Sequence, residues 1–252
     1  MSGQALTEMV PSALVASSFG RAAPHYHAHA QIQTAMADWL AEWLPERREG
    51  RALEIGAGPG IFTRRLLPWH GPLLATDIAP AMCAAGQAAL PEAQWRPMAA
   101  EVPADGPWDW IFSSSMLQWS VEPEEIFSAW RKHLAAHGRV LAGFFVEESL
   151  PEVRELIGQP DALHWRTAEE WREILDRSGL YVLRDAVERR VFRHVSAMAL
   201  LRSLHSTGTA PQRRVTPGRL RRVLQEYESR HGSAEGVLST WTFYRFEARL
   251  TD

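Results

Sequence analysis

Cysteine is almost absent from this chain. Cys83 is the only one in 252 residues, which excludes a disulfide framework and any cysteine-based zinc site. Long apolar runs are missing as well: no stretch reaches the roughly 20 residues that a membrane-spanning helix needs, and no membrane role is expected. Residues 1–18 carry a mild apolar run over 10–16 but no basic segment ahead of it, so no signal peptide is expected. Together these features fit a reducing cytoplasm. Internal repeats and low-complexity tracts are lacking. Positive charge is not in excess either: the net charge is −3, which argues against a nucleic acid as partner, and no Pro-Pro-Tyr type of base slot is present. What is there is ordinary globular material, 46% apolar, in a length that buries one core with room for a small sub-domain. Eleven tryptophans is a high count, and most are expected in the core.

The chain is organised around Ala52-Leu53-Glu54-Ile55-Gly56-Ala57-Gly58-Pro59-Gly60. An apolar run ends in an acid, and three glycines then alternate. Glycine lacks a Cβ and accepts positive φ, so such a loop can bring bare backbone against a ligand. Residues 61–67 read as a helix whose free N–H groups face that ligand. Either this is a plain turn, or it is a cradle for a charged cofactor. The dinucleotide fingerprint is G-x-G-x-x-G, whereas the spacing here is G-x-G-x-G. The pattern resembles motif I of the class I S-adenosylmethionine (SAM) methyltransferases, and that resemblance implies that Glu54 lies near the methionine ammonium. Residues 72–77 read as a second buried strand, ending in Asp77, 17 positions after Gly60. That acid either binds ribose hydroxyls, as at the end of the second strand of a nucleotide fold, or caps a helix over 80–89. In the first case Ile78 and Met82 flank the adenine.

Along the rest of the chain, Ile32, Met36, Trp39, Leu40 and Trp43 recur at helical spacing. The preceding Phe19–Tyr26 segment is either a helix-docking contact or a lid. A short third strand is expected at 93–97 and a fourth at 108–113, with Ser114 at its end and Gln118 and Trp119 beyond it. Ligands of open α/β sheets sit outside such carboxyl ends, so Trp119 either faces substrate or packs under the next helix. That helix is expected over 123–136, stopped by Gly138, with the fifth strand over 139–146. Helices are expected to open at Ser149-Leu150-Pro151 and at a Thr167–Glu170 capping box, the latter ending at Gly179. Strands follow at 181–187, 190–194 and 237–250. Between the last two, residues 195–235 form an Arg-rich helical insertion, with Met198, Leu201, Arg202 and His205 on one face. Its Arg202, Arg213, Arg214, Arg219, Arg221, Arg222 and Arg230 stand against only Glu226, Glu228 and, at its last position, Glu235. This is either a solvated helix surface or a dock for an acidic protein.

A narrower resemblance covers nearly the whole chain. Phe19-Gly20-Arg21-Ala22-Ala23-Pro24-His25-Tyr26 with His29-Ala30 and Gln33, Ser113 through Gln118-Trp119, Glu148–Glu152, Met198–Leu204 with Gly208, and Leu238–Trp241 look like the malonyl-[acyl-carrier protein] O-methyltransferases of biotin synthesis, the BioC family. This implies an α/β fold: a Rossmann-like doubly wound class I methyltransferase sheet with a final antiparallel strand and a small helical cap. The expected units are a lid and helix at 1–45, a SAM-binding core at 46–194 and 236–252, and a cap at 195–235. The implied enzyme transfers the SAM methyl group to the free carboxylate of malonyl on an acidic acyl-carrier protein, or of malonyl-CoA. The same resemblance assigns Tyr26 and Gln33 to the cofactor from the lid, Glu54, Gly56, Gly58 and Gly60 to its methionine end, and Asp77 to its ribose. The family's Asp-x-Glu after the third strand has Ala99 at the Asp position here, so the adenine is expected on the Ala100 and Glu101 backbone, with Ser114 nearby. A carboxylate acceptor is already ionised at pH 7, so catalysis is expected to be mostly proximity in a dry site. From placement alone, Arg202 is expected to hold that carboxylate, while Tyr26 and Trp119 shape the slot. Three alternatives stand beside this reading: a methyltransferase of another small carboxylate or hydroxyl, a non-catalytic SAM-binding subunit, and an NAD enzyme. The glycine spacing disfavours the last.

Overall fold

The computed structural model describes residues 30–103, 105–157, 165–207 and 216–251. The elements run α1 (Gln31–Ala41), β1 (Ala52–Ile55), α2 (Thr63–Leu66), β2 (Leu73–Asp77), α3 (Pro80–Ala89), β3 (Gln94–Pro97) and β4 (Trp108–Ser114). A 3-10 turn (Leu117–Trp119) leads to α4 (Pro123–His133), β5 (Leu134–Phe145), α5 (Pro151–Ile157), α6 (Ala168–Arg177) and β6 (Leu180–His194). The chain closes with α7 (Ala197–Ser206), α8 (Pro217–His231), β7 (Gly232–Ser233) and β8 (Gly236–Leu250). They form one 8-stranded sheet, β3-β2-β1-β4-β5-β8-β6, with β7 hairpinned onto β8. The first five strands are mutually parallel, and β8 runs antiparallel between β5 and β6. The expected doubly wound sheet with its antiparallel last strand is therefore present.

Both faces of the sheet are covered, and strand alternation says by what. On β4, Ile111 enters the cluster built with Phe127, Trp130 and Trp171 of α4 and α6, while Phe112 enters the opposite cluster with Ala37, Leu40 and Phe62. A third cluster ties Met36 and Trp39 of α1 to Phe145, Leu200 of α7, Tyr227 of α8 and Trp241 of β8. Helices α7 and α8 thus pack against the sheet through this cluster. Burial on two faces accounts for β1 and β2, in which every residue is buried, and for β8, buried on both faces from Ser239 to Ala248 although its sequence mixes polar with apolar residues.

Several expectations about local structure are corrected. The helix after the glycine loop is one turn, Thr63–Leu66, preceded by turns at 58–62. The helix expected through residue 136 ends at His133, and Gly138 lies inside β5 rather than stopping a helix. The reason is steric. A Cβ on Gly138 would come 2.7 Å from the Trp108 carbonyl oxygen, beside the register shift between β4 and β5, so glycine serves a close backbone approach there. The two short strands expected over 181–194 are one 15-residue strand, β6. On α7 the face of Met198, Leu201, Arg202 and His205 is the outward one, while Ala197, Leu200, Ser203 and Leu204 are buried. The α6 capping box is present as expected, with Thr167 Oγ1 accepting from Glu170 N at 3.1 Å and Glu170 Oε2 accepting from Thr167 N at 2.8 Å.

Candidate active site

Strand order reverses between β1 and β4, the switch point at which open α/β sheets leave a crevice. A cavity of about 410 Å³ opens there, within the range of small-molecule sites. Its floor is the carboxyl end of β1, Glu54 to Gly58. Asp77 and Ile78 from β2 and Met82 from α3 form one wall, with Met98, Ala100 and Glu101 after β3. Ser114, Ser115, Met116 and Trp119 after β4 form the other, and Gln33 of α1 reaches in from above.

The glycines divide the work. Gly56 has φ +73°, and a Cβ on it would lie 2.5 Å from the Met116 side chain. Gly58 has φ +56°, and its Cβ position meets nothing within 4 Å. Bare backbone therefore faces open space at Gly58, as a ligand cradle requires. Gly60 behaves differently: its Cβ position lies 2.7 Å from Leu90, and Gly60 does not line the cavity.

Two buried acids sit side by side at the floor. Asp77 Oδ2 accepts from Gly58 N at 2.9 Å and Oδ1 from Ala79 N at 2.8 Å. It therefore fixes the glycine loop and opens α3 as well as lining the cavity. Burial raises its pKa, and the two N–H groups oppose that rise. Glu54 is 1% exposed, and neither carboxylate oxygen has a hydrogen-bond partner. Burial pushes its carboxyl up to about 8; the nearby Thr63 hydroxyl, which is close enough to work against the rise but makes no hydrogen bond of good geometry to it, opposes the shift, and Asp77 adds to it. Orphaned buried polar atoms also include Gln33 Oε1, Ser115 Oγ and Gln118 Oε1. Ser115 stands in the left-handed region at φ +58°, a conformation that non-glycine residues adopt mainly at constrained sites.

The charge of the lining is one-sided. Glu54, Asp77, Glu101, Glu122 and Glu125 contribute to it, and no arginine, lysine or histidine does among the described residues. Glu125 is raised by its neighbours Glu122 and Glu101. Such a cavity attracts a cation. SAM carries an ammonium, a sulfonium and a ribose, and the residues fit it: an unpartnered buried carboxylate, a second acid beside it and a bare Gly58 backbone.

Of the residues expected at the site, the cavity brings together Gln33, Glu54, Gly56, Gly58, Asp77, Ile78, Met82, Ala100, Glu101, Ser114 and Trp119. Arg202 is exposed on α7 and is not among the lining residues. Tyr26, with the rest of the Phe19–Tyr26 motif, lies outside the described residues. Ser115 and Met116 were not anticipated from the sequence. Arg166 was not anticipated either. Its guanidinium donates to the carbonyls of Ser120 at 3.1 Å and Val121 at 2.7 Å and stands 5.3 Å from the Trp171 ring centroid, so it ties the cavity rim after β4 to α6.

Comparison with known proteins agrees with this geometry. A methyltransferase-domain family model matches residues 53–140, which holds the glycine loop and both floor acids. The biotin biosynthesis bifunctional protein BioCD of Bordetella avium is 32% identical over 94% of this chain. The chain spans 52% of that relative's length. The malonyl-[acyl-carrier protein] O-methyltransferase of Enterobacter lignolyticus is 28% identical, with 87% of this chain and 91% of that one aligned. Among solved structures, the YcgJ protein of Bacillus subtilis superposes with a TM-score of 0.66 over 86% of this chain and 99% of that one, at 14% identity, a likeness of fold alone.

Proposed function

Starting from a chain that belongs to the class I SAM-dependent methyltransferases, we propose that it methylates the free carboxylate of a malonyl thioester carried on acyl-carrier protein, a step of biotin synthesis. The observation that carries this reading is near-full-length similarity to proteins named for that reaction, combined with an acid-floored cavity at the switch point. When bound, SAM supplies an electrophilic methyl group on a sulfonium. The chain's own residues hold and enclose. Glu54 meets a positive charge that nothing in the protein satisfies. Asp77 offers its carboxylate edge to a diol, and Ile78 with Met82 gives an apolar seat to a ring. Gln33 closes the opening from α1. On the acceptor side, the Trp119 ring and the Ser115 hydroxyl form the wall. A carboxylate acceptor needs no general base, so their task is to orient it and exclude water.

The carrier protein is read as docking on α8. Arg219, Arg221 and Arg222 are exposed there, and none is in a salt bridge among the described residues. Arg230, by contrast, is held by Glu155 and Glu226. In this proposal residues 195–235 act as a cap that presents this surface, and Tyr26 closes the site from the segment before α1. Arg202, exposed on α7, is assigned to the docking surface in preference to the substrate carboxylate.

The test is methyl transfer from radiolabelled SAM to malonyl-carrier protein, malonyl-CoA and free malonate. A strong preference for the carrier-bound thioester supports the proposal. Equal use of malonyl-CoA keeps the chemistry and removes the docking role of α8. Transfer to none of the three, with SAM still bound, overturns the malonyl reading and leaves a methyltransferase of another small molecule.

A further inference from the structure

The helix that carries Gln33 into the cavity has no cap of its own at that end. Ala30 at the N-cap makes no side-chain cap hydrogen bond, and the first turn holds no acid. The other end is gripped. Arg245 of β8, 7% exposed, lies between two indoles of α1 and its C-terminal extension, with its guanidinium carbon 4.1 Å from the ring centroids of both Trp39 and Trp43. Arg184 of β6 covers the far side of Trp43 at 4.4 Å, and Arg190 of β6 stands 5.9 Å from Trp39. The result is an alternating stack of Arg184, Trp43, Arg245, Trp39 and Arg190. Each arginine also donates to a backbone carbonyl: Arg190 to Ala35 at 3.3 Å, Arg245 to Trp39, and Arg184 to Trp43 at 3.1 Å. These carbonyls fall four residues apart, on one side of the helix and its continuation. Arg245 further binds Glu42 at 3.0 Å, and Arg190 binds Glu188 at 2.6 Å.

Apolar packing of Met36, Ala37 and Leu40 sets the depth of α1 over the sheet, but such contacts are non-directional. Hydrogen bonds to successive carbonyls are directional and fix the helix along and about its axis. Arg190 grips Ala35, two residues from Gln33, whose Oε1 is buried without a partner in the cavity wall. We propose that the arginine ladder of Arg184, Arg190 and Arg245 is a positioning device that sets Gln33 in the cofactor cavity, so that cofactor affinity depends on contacts on the far side of α1. The inference rests on the reading of Gln33 as a cofactor contact.

The experiment is a double-mutant cycle read by calorimetric binding of S-adenosylhomocysteine, with a thermal melt of each variant. Gln33→Ala is expected to weaken binding about tenfold, and Arg245→Met or Arg190→Met about fivefold, the loss of one directional hydrogen bond. In the Gln33→Ala background the arginine substitutions are expected to add nothing, because they act through Gln33. Should Arg245→Met fail to fold, Arg190→Met, with 28% of its side chain exposed, carries the same cycle. If Gln33→Ala leaves the Kd unchanged, the reading of Gln33 and the inference fall together. If Gln33→Ala weakens binding but the arginine variants only lower Tm, or if their effects multiply in the double variant, the inference alone fails. Neither outcome depends on the identity of the methyl acceptor.

Discussion

A carboxylate with both oxygens buried and unpaired is tolerable only while protonated or once a cation arrives, and Glu54 is in that position. Its carboxyl, raised from 4.5 to about 8, holds a proton at neutral pH in the ligand-free protein. Pairing with an ammonium favours the charged form, so cofactor binding below pH 8 releases that proton. The Kd for S-adenosylhomocysteine is therefore expected to fall about tenfold between pH 6.5 and 7.5, the slope of one released proton. It is expected to flatten above about 8, and Glu54→Gln should remove the slope. A flat profile in the native protein would mean that Glu54 does not meet the ligand's charge. The same shift has a stability consequence. Between about 4.5 and 8 the folded state holds a proton that the unfolded state has lost, so this group's contribution to stability falls as pH rises through that window. Relative to Glu54→Gln, the ligand-free Tm should drop across it. Asp77 was legible in the sequence because it ends an apolar run at the end of β2, and Glu54, one residue inside the end of β1, through the resemblance of the glycine loop after it to motif I. Ser115 and Met116 were not legible. The approach of Met116 to Gly56 requires β1 and β4 to be neighbours, which no local pattern states.

The turn after β4 shows how an element can be built by a distant side chain. Leu117–Trp119 is a three-residue 3-10 helix with no side-chain cap at its N-terminus. Arg166 restrains the other end, donating to the carbonyls of Ser120 and Val121 just past the turn, both at the cavity wall. Burial lowers the pKa of this guanidinium, and Glu124 and Glu170 oppose the shift. Replacing it with Met frees the rim that holds Trp119. The expected result is a KM for the methyl acceptor raised about tenfold or more, the lower end of what a hydrogen bond to a charged group contributes, with the Kd for S-adenosylhomocysteine unchanged. Equal loss of both would make Arg166 a general fold contact. Helix ends were the least legible feature at this scale, for physical reasons. Gly138 carries the same letter as a helix stop, yet it answers a crowded contact with Trp108. In α7, residues Ala197/Leu200/Leu204 and Met198/Leu201 both recur at helical spacing. Periodicity alone could not choose the buried set, and the neighbouring Phe192, Tyr227 and Trp241 decide it. The Thr167–Glu170 box was legible because its signal is wholly local.

At the scale of the molecule, charge is segregated. The cavity wall is acidic, while the outer face of α8 presents Arg219, Arg221 and Arg222 on a chain whose net charge is −3. An acidic macromolecule approaching this protein is repelled at the cavity mouth and drawn to the helical insertion, so encounter is oriented before contact. Small anionic acceptors gain less from that field, because they meet the acidic mouth directly. If the acceptor arrives on an acidic carrier, kcat/KM for the carrier-bound thioester should fall with added salt, since a Debye length of about 8 Å at physiological ionic strength already screens all but near charges. Reversing Arg221 and Arg222 together to Glu should lower that kcat/KM about tenfold at low salt, an association-rate effect of steering charges. The reversal should also flatten the salt dependence, while the Kd for S-adenosylhomocysteine stays as it was, because neither arginine lines the cavity. A reversed variant that keeps the native salt slope would place the carrier elsewhere on the surface. The charge count of this segment was readable from sequence; what it faces was not. Arg230 belongs to the same run, yet it is occupied by Glu155 of α5 and Glu226, a pairing set by tertiary packing. Among the described arginines of that run, those outside any ion pair are Arg202 on α7 and Arg219, Arg221 and Arg222 in the first two turns of α8, where three lie together and the substitutions should act.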